Sequence, residues 1–171
     1  EAKAIVDAGC QICSHSYDHP DLRYAEPQTV VDQLTSSFSS IENATGKKTT
    51  AFRPPYGSFT QRTWLNTQGV ATVAVRWDID TEDWKQPGAD QIVSAACSNV
   101  HSGSIILMHD GGGPRDQDVE ALPQIIDTLQ SQGYTFVTIS ELLASDDSFP
   151  DYVASCDSTM PSSAVWPDEI G

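Results

Sequence analysis

Two of the four histidines in this 171-residue chain stand four residues apart, in the stretch S-H-S-Y-D-H-P over residues 14–20. This separation puts both side chains on one side of the backbone in a helical turn and in an extended strand alike. Neutral imidazole is a favoured ligand of zinc and similar divalent metals. His15 and His19 could therefore share one cation, or they could be ordinary histidines of a loop or core. The spacing alone leaves both interpretations open.

Three further clusters of polar residues follow predicted strands later in the chain. They are R-P-P-Y over residues 53–56, D-I-D-T-E-D-W over residues 78–84, and H-D over residues 109–110. In α/β folds with parallel strands, the loops at the carboxyl ends of the strands build the active site. We therefore expect these clusters and the histidine pair to converge on one rim.

The elements that must position these clusters alternate between helices and short strands. Apolar residues at three- and four-residue steps predict the helices, and β-branched runs between turn residues predict the strands. The helices are Ala2–Ala8, Pro27–Ala44, Thr60–Gln68, Ala89–Val100 and Asp118–Gln132, followed by a last turn at Glu141–Ala144. The strands are Gln11–Ser14, Ala51–Phe52, Val70–Trp77, Ser104–Met108 and Tyr134–Ile139. This alternation predicts an α/β fold with a parallel sheet or barrel.

Composition and charge narrow the classes of partner. Twenty-four acidic against nine basic side chains give a formal charge of -15, which disfavours nucleic acid and anionic membranes as partners. No apolar run approaches the roughly 20 residues that a membrane span needs. We expect one domain over residues 1–144. The tail over residues 145–171, where the helical and strand periodicity fades, would pack on that domain or leave it.

The four cysteines and the low lysine content favour a secreted protein over a cytosolic one. One or two disulfides are expected, and four cysteines permit three fully paired connectivities. Cys13 is an alternative metal ligand because it lies close to His15, although a disulfide or a buried thiol is the preferred interpretation. No signal peptide precedes the first helical pattern, so we interpret the chain as a mature protein or a fragment.

The four clusters together resemble the motifs of the polysaccharide deacetylases of the NodB-homology type, carbohydrate esterase family 4. Residues 15–20 resemble the metal motif H-[ST]-x-x-H-P, and residues 53–56 resemble R-x-P-Y. Residues 80–84 resemble D-x-x-D-W, and residues 105–110 resemble I-x-L-x-H-D. The resemblance extends from Glu1 to about Leu143 and implies a distorted (β/α) barrel of the NodB type.

The resemblance also implies a role for each site residue. His15 and His19 would bind a catalytic divalent metal, zinc first and cobalt as the second choice. His109 would be the general acid that protonates the leaving amine. Asp83 would hydrogen-bond the His109 ring and orient it, and Asp80 competes with Asp83 for that role.

The remaining motif residues would act on the base and on the substrate. Arg53 would orient an aspartate base, and the backbone N–H of Tyr56 would donate to the tetrahedral oxyanion. The other residues expected to contact substrate are Trp84, Leu107, Ile105, Pro55 and Asp80. An ordinary core role is nearly as strong an interpretation for Ile105 and a weaker one for Leu107.

One family motif does not occur in this sequence. The family carries T-F-D-D on its first strand, where the first aspartate is the general base and the second completes an Asp-His-His metal triad, and no such motif precedes His15. We therefore expect a barrel without its first strand or strands. Either the chain is a fragment, or it is a processed half whose partner segment is a separate polypeptide, or the site has lost its base.

Three functions follow from the resemblance and this departure from it. The first is metal-dependent removal of N-acetyl groups from amino-sugar polymers or oligomers such as chitin, chito-oligosaccharide or peptidoglycan. The second is the same chemistry on acetylxylan esters. The third is a non-catalytic carbohydrate-binding relic of the fold.

Overall fold

The computed structural model describes residues 1–158, and the backbone groups into two compact units. The first unit comprises Glu1–Arg76 with the described residues from Val137 onward, and the second comprises Trp77–Phe136. Residues 145–158, the described part of the predicted tail, belong to the first unit. The rest of the predicted tail, residues 159–171, lies outside the described residues.

Seven α-helices and four two-residue strands make up the regular structure of the described part. The helices are α1 Ala2–Asp7, α2 Pro27–Thr45, α3 Gln61–Asn66, α4 Ala89–Cys97, α5 Asp116–Ser131, α6 Ile139–Ala144 and α7 Asp151–Ala154. The strands are β1 Ala51–Phe52, β2 Val73–Ala74, β3 Ile79–Asp80 and β4 Ile106–Leu107. Short 3₁₀ turns lie at Pro55–Gly57 and Asp83–Lys85.

Helix α2 forms where its apolar spacing predicted it. Pro27 occupies the first helical position, where its missing N–H costs nothing. Gly46 ends the helix in the left-handed conformation, and its N–H donates to the Glu42 carbonyl at 2.8 Å. Val30 and Leu34 are fully buried in the core of the first unit. Burial of each such side chain contributes about 1.5–3 kcal/mol.

Parallel pairing in the first unit brings two of the motifs to one edge. Strands β1 and β2 pair with Ala51 opposite Val73. On the other side of β1, Ser14 forms a parallel bridge with Phe52. The Ser14 N–H donates to the Ala51 carbonyl at 3.0 Å, and the Arg53 N–H donates to the Ser14 carbonyl at 2.8 Å. The residues that follow Ser14 and Phe52 therefore leave the pairing at the same edge.

The second unit repeats this arrangement with its own strand pair. Strands β3 and β4 are parallel, with Ile79 opposite Ile106 and Asp80 opposite Leu107. Helices α4 and α5 pack against each other around a buried apolar cluster. Its members are Ile92, Ala96, Ala121, Ile125 and Leu129. The D-x-x-D-W and H-D segments thus both begin at the carboxyl ends of paired strands.

The predicted strand at Tyr134–Ile139 was wrong. Phe136 and Val137 are 50% and 54% exposed, and neither lies in a strand. The Thr138 side chain instead accepts a hydrogen bond from the Glu141 N–H, and the Glu141 side chain accepts one from the Thr138 N–H. This capping box begins α6, so the last residues of the predicted strand form the start of a helix instead.

Three other predicted strands are shorter than their patterns suggested. Of Ser104–Met108, only Ile106–Leu107 is strand. Of Val70–Trp77, only Val73–Ala74 is strand, because the Val70 and Ala71 N–H groups both donate to the Thr67 carbonyl as the chain leaves α3. Of Gln11–Ser14, only Ser14 pairs with a neighbouring strand.

All four cysteines, which lie within the described residues, are free, so the predicted disulfides are not formed. Cys10 is exposed, Cys13 and Cys97 are partly buried, and Cys156 is buried. Burial raises the pKa of the Cys13 thiol to about 11. Among the described helices, none has the length and apolar character to cross a membrane.

Candidate active site

A main-chain carbonyl fixes the protonation of His15. Its Nδ1 lies 2.8 Å from the Arg53 carbonyl oxygen. A carbonyl can only accept, so Nδ1 must carry the hydrogen. In the neutral ring, Nε2 then carries a lone pair, which can accept a hydrogen bond or bind a metal ion. Proteins set the tautomer of a metal-binding histidine in this way, by a hydrogen bond from the ring nitrogen that does not bind the metal.

His19 brings its own Nε2 to the same point. The two Nε2 atoms are hydrogen-bonded at 3.1 Å, with His19 Nε2 as the donor because His15 Nε2 carries no hydrogen. A shared cation would replace that hydrogen. The rings meet edge to face with centroids 4.8 Å apart. Two nitrogens bound to one tetrahedral zinc ion at 2.0–2.1 Å would be about 3.3 Å apart. The pair therefore fits a shared cation with little movement. Within residues 1–158, no group of three metal-binding side chains includes the pair.

The loop between the two histidines is held in a constrained conformation. Ser16 and His19 both have positive φ, at 66° and 61°, which costs a non-glycine residue about 1–3 kcal/mol unless its surroundings enforce it. The Ser16 hydroxyl accepts from the His19 N–H at 3.0 Å. The side-chain oxygen of Gln33, on α2, accepts from the Tyr17 and Asp18 N–H groups at 2.9 and 2.8 Å.

The R-P-P-Y segment forms a tight turn beside the histidine pair. Tyr56 is left-handed, with φ 59°, and its exposed ring packs edge to face on His19 at a centroid distance of 4.7 Å. The first hydrogen bond of the turn runs from the Gly57 N–H to the Pro54 carbonyl. The Tyr56 N–H lies one residue before that donor. Pro55, one of the residues expected to contact substrate, is fully buried. Burial lowers the pKa of the Arg53 guanidinium, although arginine stays charged in proteins.

In the second unit, Asp83 holds His109 by two hydrogen bonds. Asp83 is 0% exposed. Its Oδ1 accepts from His109 Nδ1 at 2.7 Å, and its Oδ2 accepts from the His109 backbone N–H at 2.6 Å. The Trp84 N–H also donates to Oδ1, at 2.9 Å. The His109 ring is therefore fixed with Nε2 as its remaining nitrogen.

The pKa of Asp83 is lowered by its partners against the effect of burial. Burial alone would raise it, but hydrogen bonds from Asp118, the His109 ring and the His109 backbone outweigh that cost. Asp80 does not take this position: it is exposed, and its Oδ1 accepts from the Glu82 N–H at 2.9 Å. Asp83 is therefore the carboxylate that orients His109.

The residues expected to line an acetyl pocket differ in accessibility. Trp84 is 54% exposed, whereas Leu107 is 6% exposed and Ile105 is partly buried. The fourth histidine, His101, lies at the surface, where it forms an ion pair with Asp78 at 3.0 Å.

Comparison with known proteins places these motifs in a family. Residues 1–73 match the polysaccharide deacetylase family model. A chitooligosaccharide deacetylase of Bradyrhizobium sp. (strain ANU 289) is 32% identical over 152 residues, covering 82% of this chain and 69% of that protein. A peptidoglycan-N-acetylglucosamine deacetylase of Bacillus cereus is 34% identical over 143 residues, covering 82% of this chain and 67% of that protein.

This chain belongs to the polysaccharide deacetylase family. Its NodB-type α/β fold is shared with solved structures of carbohydrate esterase family 4. One is the esterase domain of a multidomain xylanase from the hindgut metagenome of Trinervitermes trinervoides, with TM-score 0.77, 34% identity and coverage of 84% of this chain and 68% of that one. Another is a pseudoenzyme from Bacillus anthracis, with TM-score 0.73, 36% identity and coverage of 82% and 49%. A mutant pseudoenzyme of the same family with restored activity has TM-score 0.76, 36% identity and coverage of 82% and 50%.

Two residues that support the family motifs were not predicted from the sequence. Gln33 anchors the histidine loop from α2, and Asp118 hydrogen-bonds Asp83 from the first turn of α5. Neither belongs to a recognisable motif. Both lie on amphipathic helices whose polar residues otherwise resemble solvent-facing ones, so only the packing of the helix identifies them.

Proposed function

We propose that this chain carries out metal-dependent hydrolysis of N-acetyl groups on amino-sugar polymers or oligomers, as a secreted protein. The observation that carries the proposal is the pair of Nε2 atoms 3.1 Å apart, with the His15 tautomer set by the Arg53 carbonyl. His15 and His19 would hold zinc, or cobalt as the second choice. When bound, the metal would act as a Lewis acid on the acetyl carbonyl and lower the pKa of water.

The protein groups then account for the rest of the reaction. Addition of water to the acetyl carbon would leave a negative charge on the carbonyl oxygen, and the Tyr56 N–H would donate to it. As the C–N bond breaks, its electrons go to nitrogen, which would take a proton from His109 Nε2. Asp83, on Nδ1, would stabilise the imidazolium before transfer. The products are acetate and a free amine.

A base must take the proton that the attacking water loses. In the family this is the first aspartate of T-F-D-D, a motif that this sequence lacks. An aspartate-bearing segment supplied as a separate chain is one source. The pseudoenzyme of the same fold motivates the alternative, in which the chain binds carbohydrate without turnover.

Acetate release from N-acetylglucosamine oligomers tests the proposal. The chain would be assayed as it is and with the N-terminal segment of the Bradyrhizobium relative joined ahead of Glu1, each after chelation and with zinc or cobalt restored. We expect metal-dependent acetate release from the extended form. His109→Ala should abolish it, whereas His101→Ala, a surface histidine, should leave it unchanged.

The same assay separates the competing functions. Acetate from acetylated xylan but not from the amino-sugar oligomers would favour the esterase, a function motivated by the carbohydrate esterase family 4 domain of a multidomain xylanase, which has the same fold. Saturable oligosaccharide binding without acetate from either form, at any metal concentration, would favour the non-catalytic protein and overturn the proposal.

A further inference from the structure

A second carboxyl group lies behind the one that holds His109. Asp118, in the first turn of α5, is 6% exposed, and its side chain hydrogen-bonds that of Asp83. Asp83 also contacts His109 through its ring and its backbone N–H. A continuous chain of hydrogen bonds therefore runs from Asp118, on α5, through Asp83 to the imidazole of His109.

The contact between the two carboxyl groups requires a proton. Ionised carboxylates only accept hydrogen bonds, so a hydrogen bond between two of them needs one to be protonated. Within residues 1–158, no protein donor reaches the buried Asp118 Oδ1, so this oxygen would be unsatisfied if it were ionised. Burial, followed by the hydrogen bond and the charge of Asp83, raises the pKa of Asp118 to about 6. Of the two carboxyl groups, Asp118 is therefore the one that holds the proton, and it does so below about pH 6.

Two charged side chains face the Asp118 carboxyl. One is Asp83, in the 3₁₀ turn Asp83–Lys85. The other is Arg115, at the start of α5, whose Nη1 lies 3.9 Å from Asp118 Oδ2. The Arg115 side chain also bonds elsewhere, because its Nε donates to the Gly111 carbonyl at 2.8 Å. Asp83 faces Asp118 and His109. Arg115 alone would favour the ionised form of Asp118, and it is outweighed.

We propose that Asp118 is a positioning residue for the acid step, donating a hydrogen bond to Asp83 and so orienting the Asp83 carboxylate toward His109. This inference rests on the proposed function of His109. Asp118 touches neither substrate nor metal and acts only through Asp83. Loss of its proton would put a second negative charge beside Asp83 and break the hydrogen bond between them.

Substitutions at Asp118 test the hydrogen bond directly. Asp118→Asn keeps an N–H donor at every pH, and Asp118→Ala removes it. Asp116→Asn, an exposed change in the same helical turn, is the matched control. In the active extended form assayed at pH 5, where Asp118 is protonated, we expect Asp118→Ala to lower kcat about 10- to 100-fold with KM unchanged, as loss of an outer hydrogen-bond partner does at other sites. Asp118→Asn and Asp116→Asn should stay within about threefold of the parent, a change in kcat worth less than about 0.7 kcal/mol.

A second readout does not depend on turnover. In ¹⁵N spectra of the full chain, His109→Ala identifies the His109 ring signals among the four histidines. We expect the His109 ring signals to respond to the ionisation of Asp118 near pH 6 in the parent and in Asp116→Asn, and to lose that response in Asp118→Asn. The kcat profile should lose the same inflection.

The outcomes separate the two proposals. Absence of acetate release with the pH 6 response present would sink the enzymatic function and retain the Asp118 contact. A His109 titration that is the same in the parent and in Asp118→Asn would overturn the role of Asp118, whatever the activity. If Asp118→Ala does not fold, the comparison of Asp118→Asn with Asp116→Asn still decides.

Discussion

The Nδ1 of His15 donates to the main-chain carbonyl oxygen of Arg53 at 2.8 Å. Because the acceptor is a backbone atom, the ring is oriented by the strand pairing that brings residues 14 and 53 together. The pairing of Ser14 with β1 thus sets both the position and the tautomer of the first candidate ligand. His19 reaches the same point through a loop anchored on α2.

Removal of either imidazole should abolish tight metal binding. We expect His15→Ala and His19→Ala each to weaken binding of zinc or cobalt by at least about 100-fold, because loss of a mere outer partner already costs 10- to 100-fold. Calorimetry with zinc and the visible absorption of bound cobalt both measure this. His101→Ala is the control, and equal affinity of the His15 and His101 variants would contradict a metal site at the pair.

The histidine loop should depend on Gln33. In Gln33→Ala the Tyr17 and Asp18 N–H groups lose their acceptor, and the positive φ of Ser16 and His19 loses support. We expect metal affinity to fall about 10- to 100-fold, with at most about 1 kcal/mol lost in the free energy of unfolding, since water can replace a partly exposed acceptor. Gln28→Ala, an exposed change on the same helix, should alter neither quantity. Unchanged affinity in both variants would show that the loop holds its shape unaided.

Neutralising Asp83 should cost activity at every pH. In Asp83→Asn one amide atom still faces His109, but the negative charge that stabilises the imidazolium is gone. We expect kcat in the extended form to fall about 10²- to 10⁴-fold, the range of general acid catalysis. Asp80→Asn, in the same segment, is the comparison. A larger loss in Asp80→Asn than in Asp83→Asn would reverse the assignment of the two carboxylates.

The free energy of unfolding should respond to pH through Asp118. Its pKa in the folded chain, about 6, lies above the ordinary 3.8. The stability that its protonated form contributes is therefore fully present below about pH 4 and is lost as the pH rises through 6. Asp83, whose pKa is lowered, titrates below this window.

Asp118→Asn should remove that loss, because the amide stays neutral. Relative to the parent, the variant should gain about 2 kcal/mol between pH 4.5 and pH 7.5, because part of the free energy of the full pKa shift is already lost by pH 4.5. Urea unfolding at the two pH values measures the difference, with Asp116→Asn as the control. A gain that is the same at both pH values would mean that Asp118 is ionised throughout.

The cysteines should differ widely in reactivity. At pH 8, iodoacetamide should label the exposed Cys10 within minutes. Cys13, whose burial raises its pKa to about 11, should react at least about 100-fold more slowly, because the thiolate is the nucleophile. Peptide mass mapping over time measures both rates. Labelling of Cys13 as fast as Cys10 would show that the first unit opens readily, and full labelling under urea confirms that the residue can react.

The site segments were predictable from the sequence because each follows a short apolar strand and combines residue types that bind metal or transfer protons. The helices were predictable too, since α2, α4 and α5 bury regular apolar stripes. The strand at Tyr134–Ile139 was not, because alternation cannot reveal whether a pairing partner exists, and the Thr138–Glu141 capping box favours a helix start.

Other features depend on tertiary packing and leave no local signal. The four cysteines are free, although the composition predicted disulfides. Composition indicates the redox compartment of a protein, but it does not give the distance between two sulfur atoms. Asp118 is 35 residues from Asp83 along the chain, and its acidic side chain resembles any exposed residue of a helical first turn. Only the packing of α5 within the second unit brings the two carboxyl groups together.

The carbonyl that orients His15 belongs to every amino acid, so no side-chain substitution at position 53 can delete it. Genetic drift or directed evolution at that position could abolish whatever the guanidinium does and still leave the imidazole correctly set to coordinate. Attempts to retune this protein for a different ion would therefore do better to reshape the loop around His19, where the geometry is encoded by replaceable side chains.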